Sequence, residues 1–318
     1  MDVEVLETQH ADVVQDISYD YCGRRMATCS TDRTVKIWSS DAGTGKWRCT
    51  AHWQAHESSV VRVRWADPEY SPSLIATCGF DCKAILWELK TQNGSRDEWQ
   101  STAVFLDSKS ELNDLAFGPP HLGLCLATAS NDGLVRIYDS TDPPDYKVWT
   151  LKAQFFGALI ANPPARVTAV SWNPSPVDFA GMAVATAAGS SYLWIQDRDR
   201  PSWRISKILA GHTGSVLSIA WAPNPGRGYH LVASSGSDGQ VILYKVPTTL
   251  RPSQKTEVPV LEPLTVLEGH TGPVWRAEWN VSGTALATSG DDATRLWQSR
   301  AHDSSQWHCV GTVDPVSM

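Results

Sequence analysis

A short block returns six times along the 318-residue chain, and a fixed repeat restricts the fold more tightly than any local propensity. Met26-Ala27-Thr28-Cys29-Ser30-Thr31-Asp32, closing on Ile37-Trp38, comes back as Ile75-Ala76-Thr77-Cys78-Gly79-Phe80-Asp81 with Leu86-Trp87. Further copies are Leu126-Ala127-Thr128-Ala129-Ser130-Asn131-Asp132 with Ile137-Tyr138 and Val232-Ala233-Ser234-Ser235-Gly236-Ser237-Asp238 with Leu243-Tyr244. Leu286-Ala287-Thr288-Ser289-Gly290 with Leu296-Trp297 ends the series, and Val184-Ala185-Thr186-Ala187-Ala188 with Leu193-Trp194 reads as a degraded fourth copy. The closing aromatics fall at 38, 87, 138, 194, 244 and 297. Each unit reads as strand, turn, strand, tight turn at an aspartate, strand, and a looser outer strand. A lone sheet of this size cannot bury both faces, so the units must stack. Radial repetition achieves this with short protected edges, so the expectation is an all-β, six-bladed β-propeller forming one domain over residues 1–318.

Composition agrees. Fifteen Trp among 22 Gly and 19 Pro suit short half-buried strands joined by turns, not helical bundles. A net charge of −7 argues against direct nucleic-acid binding. The start, Met1 to Glu7, is acidic and lacks a basic region followed by an apolar run, so no secretory signal is read and a cytosolic or nuclear location is expected. Seven cysteines without a CxxC pair argue against a disulfide framework or a four-cysteine zinc site, and are read as reduced, mostly buried thiols. The uncharged stretch 179–196 reaches the lower edge of membrane-span length, but Gly189-Ser190-Ser191 splits it into two strand-length pieces, so no membrane span is expected.

Each unit also carries a polar set. A first strand ends in an aromatic at Tyr19, Trp65, Phe117, Trp172, Trp221 or Trp279, and nine positions before it stands His10, His56, His212 or His270. In copies three and four Ser108 and Pro163 occupy that place. His10, Thr28, Asp32 and Trp38 make a hydrogen-bonded brace in the first unit: a turn carboxylate, an imidazole, a strand hydroxyl and an indole N–H. His56, Thr77, Asp81 and Trp87 repeat it, as do His212, Ser234 and Asp238, and His270, Thr288, Asp292 and Trp297. Buried polar groups are tolerated when they satisfy one another. In the sixth unit Asp292 stands one residue nearer its tryptophan than the other aspartates do, so either Asp291 takes the role or the strand has lost a residue.

A catalytic relay is defined by geometry and roles, and four near-identical copies read as internal braces instead. Zinc-protease, phosphate-loop, dinucleotide and nucleophile-elbow motifs all fail at a required position: Val60 replaces the second histidine after His56-Glu57, and Trp47 replaces the hydroxyl residue after Gly45-Lys46. No catalytic residue, cofactor or metal site is therefore assigned. Arg24-Arg25 and Arg62 with Arg64 are read as solvated strand faces, and the proline-rich 247–263 and 139–145 stretches as solvated loops.

With Gly211-His212 and Gly269-His270 as Gly-His pairs and Ile37-Trp38, Leu86-Trp87 and Leu296-Trp297 as strand endings, the chain resembles the WD-repeat family over nearly its whole length. Gly23-Arg24-Arg25-Met26, Asn224-Pro225-Gly226-Arg227 in an inter-strand turn that the fold leaves free to vary, Trp279-Asn280-Val281-Ser282-Gly283, and Trp47-Arg48-Cys49-Thr50-Ala51 are similar to the Seh-type nucleoporins, paralogues of the coat protein Sec-thirteen. That resemblance implies an open six-bladed ring completed by a blade from an elongated helical (α-solenoid) partner. It implies a scaffold subunit of the Y-shaped nuclear-pore subcomplex at the nuclear envelope, alongside the other Y-complex subunits. It also implies a second role in a coat-like complex relaying amino-acid status to growth control at the lysosome or vacuole. The alternatives are a Sec-thirteen-type vesicle-coat subunit, a substrate adaptor, or an enzyme of the propeller funnel.

Strand counting bears on the open ring. Outer strands are expected at 47–51, 149–153, 203–209, 265–267 and 307–313, so blade six completes itself. Val3, Glu4, Val5 and Leu6 alternate like a strand and are left over within the 1–9 segment, as a seam strand to which a partner's strands add. The competing reading has the same residues closing blade six.

Overall fold

The protein is described by a computed structural model over residues 5–71, 73–90, 98–141, 146–159, 164–197, 202–251, 258–300 and 303–315, without the side chains of 300 and 303–305. These residues form six sheets, antiparallel within each blade, in two compact units, 4–154 and 155–318. In the first unit, blade one is β1 (Val14–Tyr19), β2 (Arg25–Ser30), β3 (Thr34–Ser40) and β4 (Trp47–Gln54). Blade two is β5 (Val60–Trp65), β6 (Leu74–Gly79), β7 (Ala84–Lys90) and β8 (Glu98–Phe105). Blade three is β9 (Leu112–Phe117), β10 (Cys125–Ser130), β11 (Leu134–Ser140) and β12 (Trp149–Phe156).

In the second unit, blade four is β13 (Val167–Trp172), β14 (Gly181–Thr186), β15 (Ser191–Gln196) and β16 (Trp203–Leu209). Blade five is β17 (Val216–Trp221), β18 (Tyr229–Gly236), β19 (Val241–Pro247) and β21 (Thr265–Leu267), with β20 (Val260–Leu261) lying elsewhere. Blade six is β22 (Val274–Trp279), β23 (Ala285–Gly290), β24 (Thr294–Arg300) and β25 (Asp303–Val313). The fold class is that of a six-bladed WD-type β-propeller, and blade six takes its fourth strand from the C-terminal segment, as strand counting expected.

Period-2 patterning with small residues in the middle strands explains the packing. β6, β10 and β14 are buried along their whole length. Cys29, Val35 and Ile37 of blade one pack with Val63, Ile75 and Trp87 of blade two. Tryptophans fill the outer part of the blades. In four blades the aromatic ending the first strand meets a tryptophan of the outer strand edge to face, in Tyr19–Trp47, Trp65–Trp99, Trp172–Trp203 and Trp279–Trp307, with interplanar angles of 67°, 75°, 70° and 71°.

Several expectations need correction. Strand pairing sets Met182 against Trp194 and Val184 against Tyr192, as Met26 faces Trp38 and Thr28 faces Lys36. The fourth repeat is therefore displaced by two residues from the sequence reading: Val184, not Thr186, holds the brace-hydroxyl position, and Thr186 matches Ser30. Small-residue runs such as Val-Ala-Thr-Ala-Ala are self-similar under such a shift. Cysteines 29, 78 and 125 are buried, but 22, 49 and 309 are exposed, because the latter lie on a turn and on outer strands.

The basic pair is not solvated either. Arg62 Nε donates to Asp114 3.1 Å away in blade three, and Arg64 reaches Asp16 of blade one at 2.6 Å. Both carboxylates are buried, so an unpaired state would carry a desolvation cost. The 247–263 loop docks in part: β20 adds to the edge of β16 in parallel, Ile208 against Val260, while Leu250 and Leu261 pack on the core of blades four and five. Its apolar Val-Leu pair satisfies an otherwise open edge; residues 252–257, like 142–145 of the other loop, lie outside the described residues.

The Asn-Pro-Gly-Arg turn is likewise not free to vary. Arg227 donates to the carbonyls of Pro223 (2.6 Å) and, across to blade six, Gly283 (2.8 Å). Gly283 has φ +63 and a Cβ there would strike the Pro223 carbonyl, whereas Gly23 has φ +65 with open space around it. Gly283→Ala is expected to destabilise by about 3 kcal/mol against about 1 kcal/mol for Gly23→Ala in urea unfolding, because only the first adds a backbone clash to the left-handed strain. Equal effects would mean that the blade five–six contact yields freely.

Candidate functional site: the blade braces and the N-terminal arm

Four blades bring their polar sets together. In blade one His10 Nδ1 lies 3.0 Å from Asp32, His10 Nε2 lies 2.9 Å from Thr28 Oγ1, and the Trp38 indole donates to the same hydroxyl at 3.0 Å. The network assigns the proton to Nδ1, with the threonine hydroxyl donating to Nε2. Blade two repeats this with His56–Asp81 (2.9 Å), His56–Thr77 (2.7 Å) and Trp87–Thr77 (2.9 Å). Blade six does so with His270–Asp292 (2.6 Å), His270–Thr288 (2.8 Å) and Trp297–Thr288 (2.8 Å). In blade five His212 joins Asp238 and Ser234, while Tyr244 donates to the Ala210 carbonyl. Each aspartate also accepts the amide after its histidine: Ala11, Glu57, Thr213 or Thr271. The carboxylate thereby ties the chain entering a blade to its β2–β3-type turn.

Asp292 takes the role left open between it and Asp291, which instead accepts from the Trp275 indole. The residue after the brace aspartate is left-handed at Arg33, Cys82, Gly133 and Gly239. Blade six lacks that residue: Thr288 faces Arg295, one position closer than Thr77 and Ile85.

Blades three and four substitute other groups. In blade three the Arg136 guanidinium, buried, donates to Asp132 at 2.7 Å, and Ser108 bonds Ser130. Sequence reasoning missed Arg136; an arginine four residues after an aspartate whose histidine is absent was the available signal. In blade four the Trp194 indole turns to the Gly157 carbonyl, 3.2 Å away, and Pro163 lies outside the described residues.

The N-terminal arm behaves differently from a strand. Val3 and Glu4 lie outside the described residues, and Val5 and Leu6 belong to no sheet. Exposure nonetheless alternates, with Val5, Glu7 and Gln9 exposed and Leu6, Thr8 and His10 half-buried. Blade six takes its fourth strand from β25, and Val5 and Leu6 do not close it. Lys36 Nζ donates to the carbonyls of Thr8 (3.0 Å) and Gln9 (2.6 Å).

Burial holds the His10 imidazole below its ordinary 6.5, with Asp32 pulling it up and Lys36 pushing it further down. Burial likewise lowers His230, against the pull of Asp178. For Asp32, burial is outweighed by hydrogen bonds from Thr34, Ala11 and His10, which hold the carboxyl well below its ordinary range. Asp81, Asp238 and Asp292 are lowered in the same manner. Groups of this kind hold braces, tying an entering chain to a turn.

Two outcomes follow. Thr77→Val strands the His56 ring nitrogen and the Trp87 indole, and is expected to cost about 2 kcal/mol in urea unfolding; a cost within error of zero would remove the brace from the stability account. A depressed histidine contributes stability fully above its unfolded value and loses it as pH falls through 6.5, while a depressed aspartate loses its contribution only as pH falls below 3.8. The melting temperature should therefore drop in two steps, one through pH 6.5 and one below pH 4. Replacing His230 by Leu should shrink the first step alone, and an unchanged first step would exclude His230 as a source.

Comparison with known proteins now fits the geometry. The WD40 family profile, described as WD domain, G-beta repeat, matches residues 3–39, 47–88, 203–245 and 261–298, the segments that contain the four histidine braces. Nucleoporin SEH1-A of Xenopus laevis is 34% identical over 97% of this chain and 87% of its own length. Nucleoporin SEH1 of Danio rerio is 34% identical over 97% and 86%, and that of Homo sapiens 34% over 97% and 87%. Braced six-blade architecture and identity along almost the entire sequence together make this chain a member of the WD-repeat family, within the Seh-type nucleoporins.

Proposed function

We propose that the protein is a non-catalytic scaffold subunit of the Y-shaped nuclear-pore subcomplex at the nuclear envelope, acting as one domain over residues 1–318. Its partner is an elongated helical nucleoporin that adds strands to it. The observation that carries this reading is a bare sheet face. Ile17, fourth in its strand, is 49% exposed, whereas Val63, Leu115, Val170, Ile219 and Ala277 at the same place in the other blades are at most 5% exposed. Tyr19 on that face is also exposed. In the second unit, Ala287 and Leu296 of blade six are half-buried and Ser289 exposed, where Ala27, Ile37 and Cys29 of blade one are buried. Apolar faces of this kind are completed by another sheet layer.

Relatives bearing the nucleoporin name favour this over the vesicle-coat reading, and a bare face favours it over a peptide adaptor. The family resemblance extends the same mode of binding to the coat-like nutrient-signalling complex at the lysosome or vacuole. Tagged protein purified from native extract should recover a helical nucleoporin in near-equal amount. Ile17→Asp should abolish that recovery with little change in melting temperature, since the residue is already exposed, and removing residues 1–6 should weaken it. Recovery of secretory-coat subunits instead would overturn the pore assignment.

A further inference from the structure

Lys36 sits where the other blades carry Arg136, Arg295, Ile85, Ile242 or Tyr192, opposite the brace hydroxyl in the neighbouring strand. Arg136 and Arg295 turn to their own brace aspartates. Lys36 instead reaches the arm and takes two consecutive carbonyls, Thr8 and Gln9. Gln9 is left-handed, with φ 52, which brings the two carbonyls to one ammonium. His10 then enters the brace. The arm is thereby held at its C-terminal end by Asp32 and over its last turn of backbone by Lys36.

Two features make the held segment an unfinished strand. Exposure alternates strictly from Val5 to His10. Among the described residues, no amide of Val5 to Gln9 meets an acceptor. A row of open N–H donors with fixed side-chain parity is an edge for another chain, and a one-residue slip would turn Leu6 outward and Val5 inward. We propose that Lys36 is the positioning residue that fixes the register of residues 5–9, so that a partner strand offering carbonyls pairs with them beside Ile17. This rests on the strand-addition reading above. Methionine at 36 keeps the stem and loses the donors; arginine keeps donors.

The test uses the full chain as wild type, Lys36→Met and Lys36→Arg. Thermolysin cleavage before Val5 and Leu6 is followed by intact mass on each protein alone, helical-nucleoporin recovery is measured from native extract, and melting temperature is recorded. Loss of two charge-assisted hydrogen bonds should speed cleavage in Lys36→Met about tenfold and lower recovery about as much, at a melting temperature near wild type. Lys36→Arg should restore both. Unchanged cleavage in Lys36→Met, or faster cleavage with undiminished recovery, overturns the assignment, as does a fall in melting temperature that Lys36→Arg does not rescue. A wild-type protein recovering no helical nucleoporin overturns the strand-addition reading and the partner role with it, while the cleavage rates still decide whether Lys36 holds the arm.

Discussion

A four-stranded blade has two apolar faces and can cover neither by itself, and most of the chemistry in this chain answers that constraint. The middle strands are built from Ala, Cys, Val and Thr because a neighbouring sheet lies close on either side, where larger side chains would force blades apart. The outer region widens and is filled by tryptophan against tryptophan, as in the Trp53–Trp99 stack, whose centroids are 5.6 Å apart. Blade-to-blade polar links then fix what dispersion alone leaves adjustable. Arg62 to Asp114 and Arg64 to Asp16 tie blades one to three, while Arg227 to Gly283 ties five to six. These links set neighbours in register more than they add stability, since each buried ion loses its hydration.

The braces solve a separate problem, the attachment of each entering chain to a tight turn more than twenty residues away in sequence. An imidazole suits this because it bridges a carboxylate and a hydroxyl with two opposed nitrogens. Where it is missing, blade three uses a guanidinium that bonds the carboxylate alone, and its Ser108–Ser130 pair closes the remaining distance. Blade four abandons the hydroxyl for Val184 and satisfies its indole on a backbone carbonyl. In blades one, two, four and six the indole N–H finds an acceptor with or without a histidine beside it, since a buried N–H without one would carry an unmet desolvation cost.

Much of this was legible in sequence because periodicity acts locally. The aspartate turn, the nine-residue offset of histidine from aromatic and the self-completed sixth blade all follow from spacing. What was not legible depends on contacts between repeats. Nothing in the run Arg62-Val63-Arg64 announces acidic partners 47 to 52 residues away. The two-residue displacement of blade four is invisible where alanine and valine alternate, and appears only when Trp194 is paired with Met182. The Val260–Leu261 strand reads as part of a proline-rich loop because its partner, β16, belongs to another blade.

In the role proposed for it, the arm inherits its geometry from the first brace. His10 is at once the last residue of the arm and the imidazole of the first brace, so the parity of Val5, Glu7 and Gln9 is counted from a side chain fixed by Asp32 and Thr28. In blades two, five and six the corresponding approach segment comes from the preceding blade and is held at both ends. In blade one Lys36 holds that segment at the backbone, through the Thr8 and Gln9 carbonyls. Ile17 and Tyr19 of the same blade are exposed. Open backbone donors and exposed apolar side chains thus lie on one blade, and under the proposed strand addition a partner contributing both strand edge and apolar face would satisfy them together.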